Sequence, residues 1–196
     1  MTRATPAVAV VLVLLVLTGC ASRALEVDYP AATANRALLG SVAPRRVVVA
    51  AVTDRRVTPD RIGTTPEDGE PIVTARPVPD IVREALVVEL ARNGHAVVTG
   101  QGDVVVAADV EEFWLDAVGR SDATQYVGRV VIAVAITDGS TGERRLARRY
   151  VGARRRTGEV DAKDVWRDVM NTALARTLHD LATDPDLASA LGGPRS

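Results

Sequence analysis

Three consecutive stretches with the pattern of β-strands constrain the fold of this 196-residue chain more than any other feature. They run from Asp103 to Leu115, from Tyr126 to Thr137 and from Glu143 to Arg154. In the first stretch, one of the two alternating faces is apolar up to Val110, whereas the other carries Asp109 and Glu111. The turn Asp138-Gly139-Ser140-Thr141-Gly142 joins the other two stretches, which predicts an antiparallel hairpin.

The remaining patterns add two long helices, two strands and a long loop. Apolar residues at three- and four-residue spacing predict the helices, and Gly94 is the expected C′ residue of the first. The predicted elements are a buried strand Arg46–Thr53, a loop Val57–Pro79, a helix Pro79–Arg92, a short strand His95–Thr99, a helix from Asp161 or Asp164 to Ala182, and a helical turn Asp186–Leu191. Together they predict an α+β fold: a mainly antiparallel sheet of four to five strands with two helices packed on one face.

The N-terminus has the pattern of an export signal. One basic side chain, Arg3, precedes an apolar run from Ala7 to Leu17. A membrane-spanning helix needs ~20 apolar residues, so this run is too short to be an anchor. The following Leu17-Thr18-Gly19-Cys20 resembles the bacterial lipobox, and the resemblance implies cleavage before Cys20 and acylation of its sulfur. The alternative is a cytosolic protein with a hydrophobic start and an accidental cysteine.

These features predict how the chain is divided. We expect a lipoprotein signal peptide over 1–19, a flexible membrane tether over 20–44, a single α+β periplasmic domain over 45–191 and a disordered tail over 192–196. Two or three acyl chains, including palmitate, suffice for stable membrane binding. Ala21 and Ser22 lack the aspartate that, as the lipoprotein resemblance implies, retains such proteins in the inner membrane. The expected location is the cell envelope, on the periplasmic face of the outer membrane if the host has two membranes.

Composition narrows the classes of partner. The formal net charge is −1, which argues against nucleic acid as a partner. Cys20 is the only cysteine, so the mature domain can hold neither a disulfide nor a thiolate metal cluster. Its stability must therefore come from an apolar core.

Six motifs along the chain form a further pattern. They are the lipobox, Val52-Thr53-Asp54-Arg55-Arg56, Ile62-Gly63-Thr64, Leu90-Ala91-Arg92-Asn93-Gly94, the strand around Val104 to Phe113, and Asp184-Pro185-Asp186-Leu187. Together they resemble the YajG family of bacterial envelope lipoproteins. The resemblance spans nearly the whole mature domain and implies an outer-membrane or cell-envelope lipoprotein of uncharacterised biochemical role. Some related envelope lipoproteins, including auxiliary subunits of lipid-transport systems, have a similar order of helices and strands. This is an analogy of fold and does not by itself imply a shared function.

The groups that catalysis requires are scarce. The sequence contains no GxSxG elbow, no HExxH and no phosphate-cradling glycine loop. His95 and His179 are expected to be surface or capping side chains. Glu111 and Glu112 are neighbours on a strand, so they should point to opposite faces and share no proton. We therefore expect a non-enzymatic protein with no catalytic residue, cofactor or metal.

Asp54 and Arg56 stand at the end of a predicted strand, just before the proline-rich loop. Side chains two residues apart on a strand lie on the same face, so these two can form a charge-assisted pair that fixes the loop. Together with Gly63 they are candidates for a structural clamp that holds the loop in place. We favour this interpretation because a loop of this length needs anchors. The alternative is a contact with a ligand or partner.

An arginine-rich series occupies the last strand and its exit. Its members are Arg144, Arg145, Arg148, Arg149, Arg154, Arg155 and Arg156. Because residues of a strand alternate between faces, some of these side chains reach solvent, where they can meet phosphate-bearing lipids or acidic polymers. The candidates for this anionic-surface contact are Arg148, Arg149, Arg154 and Arg155. The alternative is an edge strand protected by charge, or pairing with nearby acids such as Glu111, Glu112 and Asp116.

These observations favour a membrane-anchored envelope lipoprotein with a non-enzymatic interaction domain. In this hypothesis, the domain contacts a partner protein through its open sheet face or through the loop Val57–Pro79. The alternative is a lipid- or glycan-binding auxiliary lipoprotein of an envelope transport system, with a cavity between helices and sheet. Whether the interior is filled distinguishes the two.

Overall fold

The structure is a computed structural model, and it describes residues 24–34, 38–119, 124–158 and 163–192. The predicted signal peptide, Cys20 and residues 193–196 of the predicted tail lie outside the described residues. The strands are β1 (Ala24–Leu25), β2 (Arg46–Val49), β3 (Thr53–Asp54), β4 (Gly63–Thr64), β5 (Pro71–Thr74), β6 (Ala96–Val97), β7 (Val104–Gly119), β8 (Thr124–Asp138) and β9 (Arg144–Gly158). The helices are α1 (Val78–Arg92), α2 (Lys163–Ala182) and α3 (Pro185–Gly192), with a 3-10 turn at Leu38–Ser41.

Three long antiparallel strands, β7, β8 and β9, form the largest part of the sheet. β8 pairs with β7 on one side and with β9 on the other, over nearly their whole lengths. These strands and both long helices confirm the elements predicted from periodicity, and Gly94 follows α1 with a φ of 90°. The α+β class is therefore as expected.

The rest of the sheet differs from the expectation. Among the described residues the sheet has nine strands rather than four to five, and it is mixed rather than mainly antiparallel. Strands β2, β3 and β4 run parallel to β7 along its other edge. The strand predicted at Arg46–Thr53 is broken between Val49 and Thr53 into β2 and β3, because the chain leaves and rejoins β7 there.

The predicted loop Val57–Pro79 contains a small antiparallel hairpin. β4 pairs with β5, with Gly63 opposite Ile72, and a turn that includes Gly69 at a φ of 69° joins them. Ile72 is fully buried. The expectation of a long loop was wrong here because strands of two and four residues are too short to show alternation in a sequence rich in proline.

The segment expected to be a flexible tether packs against the domain where the structure describes it. β1 pairs in parallel with β5, and Leu25, Val27 and Tyr29 are buried. The Tyr29 hydroxyl donates a 2.5 Å hydrogen bond to Oε2 of Glu89, which is itself fully buried in α1. The three apolar residues alternate with acidic ones, which is the signature of a half-buried strand over too short a stretch to be recognised.

The described helices lie on one side of the sheet, as expected for the two long ones. α2 crosses β8 and β9 and touches α1, which covers β7, β2 and β6, and α3 packs beside α2. The core between the layers is led by Trp166, Tyr126 and Phe113, and the first two rings lie 6.1 Å apart. No helix in the described part of the chain is long and apolar enough to span a membrane.

Glycines in β8 and β9 bring α2 close to the sheet. A Cβ at Gly128 would lie 2.7 Å from Val169, and one at Gly152 would lie 2.5 Å from the backbone nitrogen of Thr177. Both distances are shorter than any ordinary carbon contact. At these positions α2 rests directly on the backbone of the sheet.

Candidate functional site

The face of the sheet that points away from the helices carries a patch of small apolar side chains. Ala107 on β7 lies opposite Ala135 on β8, which lies opposite Ala147 on β9, and Ala133 is the next residue of β8 on this face. We call these four residues the alanine patch. Because alanine has no side-chain atom beyond Cβ, the patch forms a shallow depression of about 370 Å³, bordered by Asp109, Arg144 and Arg149.

A β-bulge changes which way two acidic residues point. The register of β7 against β8 shifts between Val110 and Glu112, so Glu111 is an extra residue. Glu111 accepts a 2.6 Å bond from Arg149, and Glu112 pairs with Arg129 at 2.9 Å. Both arginines belong to the face of the alanine patch, so both glutamates do as well. The expectation that they point to opposite faces was wrong because it assumed an unbroken strand.

These ion pairs form a polar border on the open face. Farther along β7, the Trp114 indole nitrogen donates a 2.7 Å bond to the Asp116 carboxylate. The arginine and glutamate side chains are one-third or more exposed, and exposed pairs of this kind contribute little to stability. The face thus combines a small apolar centre with charged surroundings, as interaction surfaces do.

Asp54 and Arg56 form the pair that their spacing predicts. The Arg56 guanidinium donates to both carboxylate oxygens of Asp54, at 2.9 and 2.8 Å, and to the backbone carbonyls of Pro59 (2.7 Å) and Arg61 (3.0 Å). The arginine side chain is only 6% exposed. Its hydrogen bonds lower the pKa of Asp54. Arg56 therefore ties the end of β3 to the loop that follows, which is the geometry of a clamp.

Gly63 lies beside this clamp but serves the sheet. It is the residue of β4 that pairs with Leu115 of β7. A Cβ at Gly63 would collide with the carbonyl oxygen of Leu115. Only glycine lets β4 approach β7 this closely, so Gly63 has a steric role here.

The four arginines considered for an anionic surface do not form one surface. Arg148 and Arg154 share the face of Gly152, toward α2 and α3, whereas Arg149 and Arg155 lie on the open face. Arg148 pairs with Asp184 at 2.7 Å and with Asp186 at 3.0 Å, and Arg149 pairs with Glu111. Because neighbouring residues of β9 point to opposite faces, the four arginines are divided between the two faces of the sheet. Acidic side chains neutralise part of their charge.

A buried carboxylate at the start of α3 was not anticipated. Asp184 accepts hydrogen bonds from the Tyr150 hydroxyl (2.6 Å), from Arg148 (2.7 Å) and from the backbone nitrogen of Asp186 (2.9 Å). Burial alone would raise the pKa of Asp184, but these three donors outweigh it and lower the pKa. Burial and the same carboxylate raise the pKa of Tyr150. Asp184, Tyr150 and Arg148 thus hold the start of α3 against β9. The signal of this contact in the sequence is the Asp-Pro-Asp-Leu motif.

His95 is buried rather than at the surface. Its Nδ1 accepts from the backbone nitrogen of Arg45 at 3.3 Å, and its Nε2 lies 3.2 Å from the carbonyl oxygen of Leu39. These partners require a neutral ring with the proton on Nε2. Burial lowers the pKa of His95, so the ring connects the 3-10 turn to β2 in its uncharged form.

The described residues include no group of three or more histidine, cysteine, aspartate or glutamate side chains placed to hold a metal ion. Asp54 and Arg56 line one surface depression, and Glu111, Glu112 and Trp114 line another next to the same loop.

Comparison with known proteins supports the fold. No protein-family model matches the chain, and no curated protein matches it either. A solved protein of Xanthomonas campestris from the family DUF330 is similar in structure, with a TM-score of 0.57 and 20% sequence identity over 81% of this chain and 89% of that one. At this identity the likeness shows the shared fold alone.

Two further solved structures are more distant. A candidate lipoprotein of Caulobacter crescentus has a TM-score of 0.42 and 16% identity, over 69% of this chain and 87% of that one. A minor lipoprotein of Acinetobacter baumannii has a TM-score of 0.37 and 13% identity, over 70% of this chain and 92% of that one. None of the three is described as a YajG protein, so that resemblance stays a prediction.

Proposed function

We propose that this protein is a lipid-anchored lipoprotein of the cell envelope whose domain binds a partner protein and catalyses no reaction. The anchor is lipid on Cys20, and the binding surface is the open face of the sheet around the alanine patch. The observation that carries the proposal is that all described helices pack on one face, while the other presents apolar side chains within a charged border. Because Asp54 and Arg56 satisfy each other, we assign them a structural role rather than a ligand contact.

The packing of α2 favours a protein partner over a lipid or glycan held inside the domain. A ligand cavity between helices and sheet requires a gap, and at Gly128 and Gly152 even a methyl group does not fit. The open face is instead shallow and broad, which suits a protein surface better than a small ligand, since small ligands are usually enclosed by their pockets.

The test of the surface is a charge placed in the alanine patch. Ala135→Glu puts a carboxylate between Ala107 and Ala147, where a docked partner would have to bury it. We expect the full-length variant to lose its crosslinked partner in native membranes, as judged by quantitative mass spectrometry. Ala91→Glu, on the exposed surface of α1, is the matched control and should keep the partner. Equal capture by both variants, with both folded by circular dichroism, would remove the open face from the proposal.

The test of the anchor is Cys20→Ala. Without the sulfur there is no site for the lipid, so we expect the variant to leave the membrane fraction and to lack the mass of the acyl chains. The wild-type protein should carry that mass on its N-terminal peptide. Membrane retention of the variant equal to that of the wild type would contradict lipid anchoring.

A further inference from the structure

β9 has one edge that no described strand occupies. It pairs with β8 along its fifteen residues, a length of about 50 Å at ~3.3 Å per residue. Such an edge presents backbone groups that can pair with another chain. We propose that an extended acidic segment of the partner protein docks here as an additional β-strand. This inference rests on the proposed function, because it specifies the chemistry of the partner and the strand that receives it.

The hydrogen bonds of the turn show which residues of β9 face the open edge. The backbone nitrogen of Asp138 donates to the carbonyl of Glu143, so the even-numbered residues of β8 turn toward β9. Tyr150 and Gly152, which lie opposite two of these residues, therefore bond to β8. Backbone groups alternate along a strand, so Arg149, Val151, Ala153 and Arg155 direct their N–H and C=O groups outward.

One side-chain contact agrees with this assignment. Arg176 of α2 donates a 2.5 Å bond to the carbonyl of Ala153, as an arginine reaching over the edge would do. The same outward residues are exposed, and Val151 keeps 42% of its surface in contact with solvent. An exposed valine at the centre of an open edge is a feature that a docked strand would bury.

The side chains along the edge select an acidic partner. β9 contains seven arginines and no acidic residue, and four of the seven, including Arg149, already pair with an acid of another part of the domain. On the open face, Arg149 and Arg155 flank Val151 and Ala153. A docked strand with acids six residues apart and small apolar residues between them matches Arg155 and the apolar centre, and its other acid competes with Glu111 for the exposed Arg149. Opposite charges across a strand pair are favourable and like charges are not.

A second copy of this chain fits the edge poorly. Antiparallel pairing of two β9 strands about Val151 would place Arg148 of each opposite Arg154 of the other. Such a ladder would double the arginine density without adding an acid, which is the arrangement that proteins use to prevent pairing between edges. The charge of β9 therefore excludes its own copy and favours a partner of opposite sign.

The probe is a labelled nonapeptide, Thr-Glu-Thr-Val-Thr-Val-Thr-Glu-Thr, titrated into the full-length protein in detergent micelles. Its two glutamates match Arg149 and Arg155. We expect saturable binding that weakens about tenfold between low and high salt, because exposed charges are screened. The same peptide with lysine in place of glutamate should bind at least about tenfold more weakly.

Two substitutions at one position separate strand pairing from charge alone. Val151→Pro removes an N–H that points away from β8, a position where proline is tolerated, and should weaken peptide binding about tenfold. Val151→Thr keeps the N–H and the branched shape and should bind within about threefold of wild type. Hydrogen exchange at the amides of Val151 and Ala153 should slow when the peptide is bound.

The inference would be overturned if the peptide did not bind, if the lysine peptide bound equally well, or if Val151→Pro left binding unchanged. β9 would then be an edge that its charge protects from pairing. A wild-type dimer that Val151→Pro converts to monomers would overturn it too, because the occupant would then be a second copy. A partner captured in membranes that is lost with Ala135→Glu but kept with Val151→Pro would leave the proposed function standing and reject only the edge.

Discussion

Replacing Gly152 with alanine tests how closely α2 is seated on the sheet. The new Cβ would lie 2.5 Å from the backbone nitrogen of Thr177 and closer still to the carbonyl oxygen of Ala173. Both atoms belong to the helix backbone, which cannot turn aside as the end of a flexible side chain can. To restore an ordinary contact, the helix must lift by about 1 Å, and a close-packed interior resists such a shift.

The size of the effect follows from what α2 covers. The helix buries its apolar face against β8 and β9, so lifting it loosens contacts along several turns. Overpacking in a well-packed core costs about 1–3 kcal/mol, and a Cβ that meets the backbone of a helix belongs at the upper end of this range. A loss of about 3 kcal/mol corresponds to a fall in Tm of roughly 6–12 °C for a domain of this size.

Thermal denaturation of the full-length protein in detergent, followed by circular dichroism at constant pH, measures this shift. Gly119→Ala is the matched control, because a Cβ at Gly119 meets nothing within 4 Å. We expect the control to change the free energy of unfolding by no more than about 0.5–1 kcal/mol, the intrinsic difference between the two residues. A Gly152→Ala protein as stable as its control would refute the reasoning, because it would show that α2 does not rest on the backbone at Gly152.

Two other predictions concern the clamp and the buried histidine. Arg56→Lys keeps the charge but loses the planar guanidinium that bonds Asp54 and the loop, so the free energy of unfolding should fall by about 1–3 kcal/mol and hydrogen exchange in residues 57–62 should accelerate. The control Arg55→Lys, at a side chain that is 67% exposed, should change neither quantity. Equal effects of the two substitutions would contradict the clamp. The pKa of His95 is lowered in the folded state, so the unfolded chain binds more protons below about pH 6.5 and stability should fall as the pH drops from 7 toward 5. His95→Gln should flatten this dependence of Tm on pH, and an unchanged slope would contradict it.

The long elements could be predicted because their patterns repeat many times. β7 keeps one buried row from Val104 to Val110, and α2 keeps an apolar stripe from Trp166 to Leu181, so the period is clear in each. The shorter strands carry no such repeat. Leu25, Val27 and Tyr29 alternate over three positions only, and their burial depends on β5 and α1, which the local sequence does not encode.

In the candidate site, too, contacts between residues close in sequence could be predicted, whereas contacts between distant residues could not. Asp54 and Arg56 are two residues apart, so strand geometry alone predicts their contact. Arg148 and Asp184 are 36 residues apart and meet only because α2 returns the chain to β9. The bulge at Glu111 adds a single residue to a strand and leaves no clear mark in the sequence, yet it decides which charges border the open face.

If Cys20 carries lipid as proposed, the pairing of β1 with β5 limits how far the domain can stand from the membrane. With lipid on Cys20, only three residues lie between the anchor and Ala24, and the four Cα-to-Cα steps between them span about 14 Å when fully extended. A free linker of 25 residues would span up to about 85 Å. The domain would therefore sit against the bilayer with β1 nearest to it. Five inter-strand steps, about 24 Å at ~4.8 Å each, would separate β1 from β9, so the basic edge would be the part of the sheet most remote from the lipid surface.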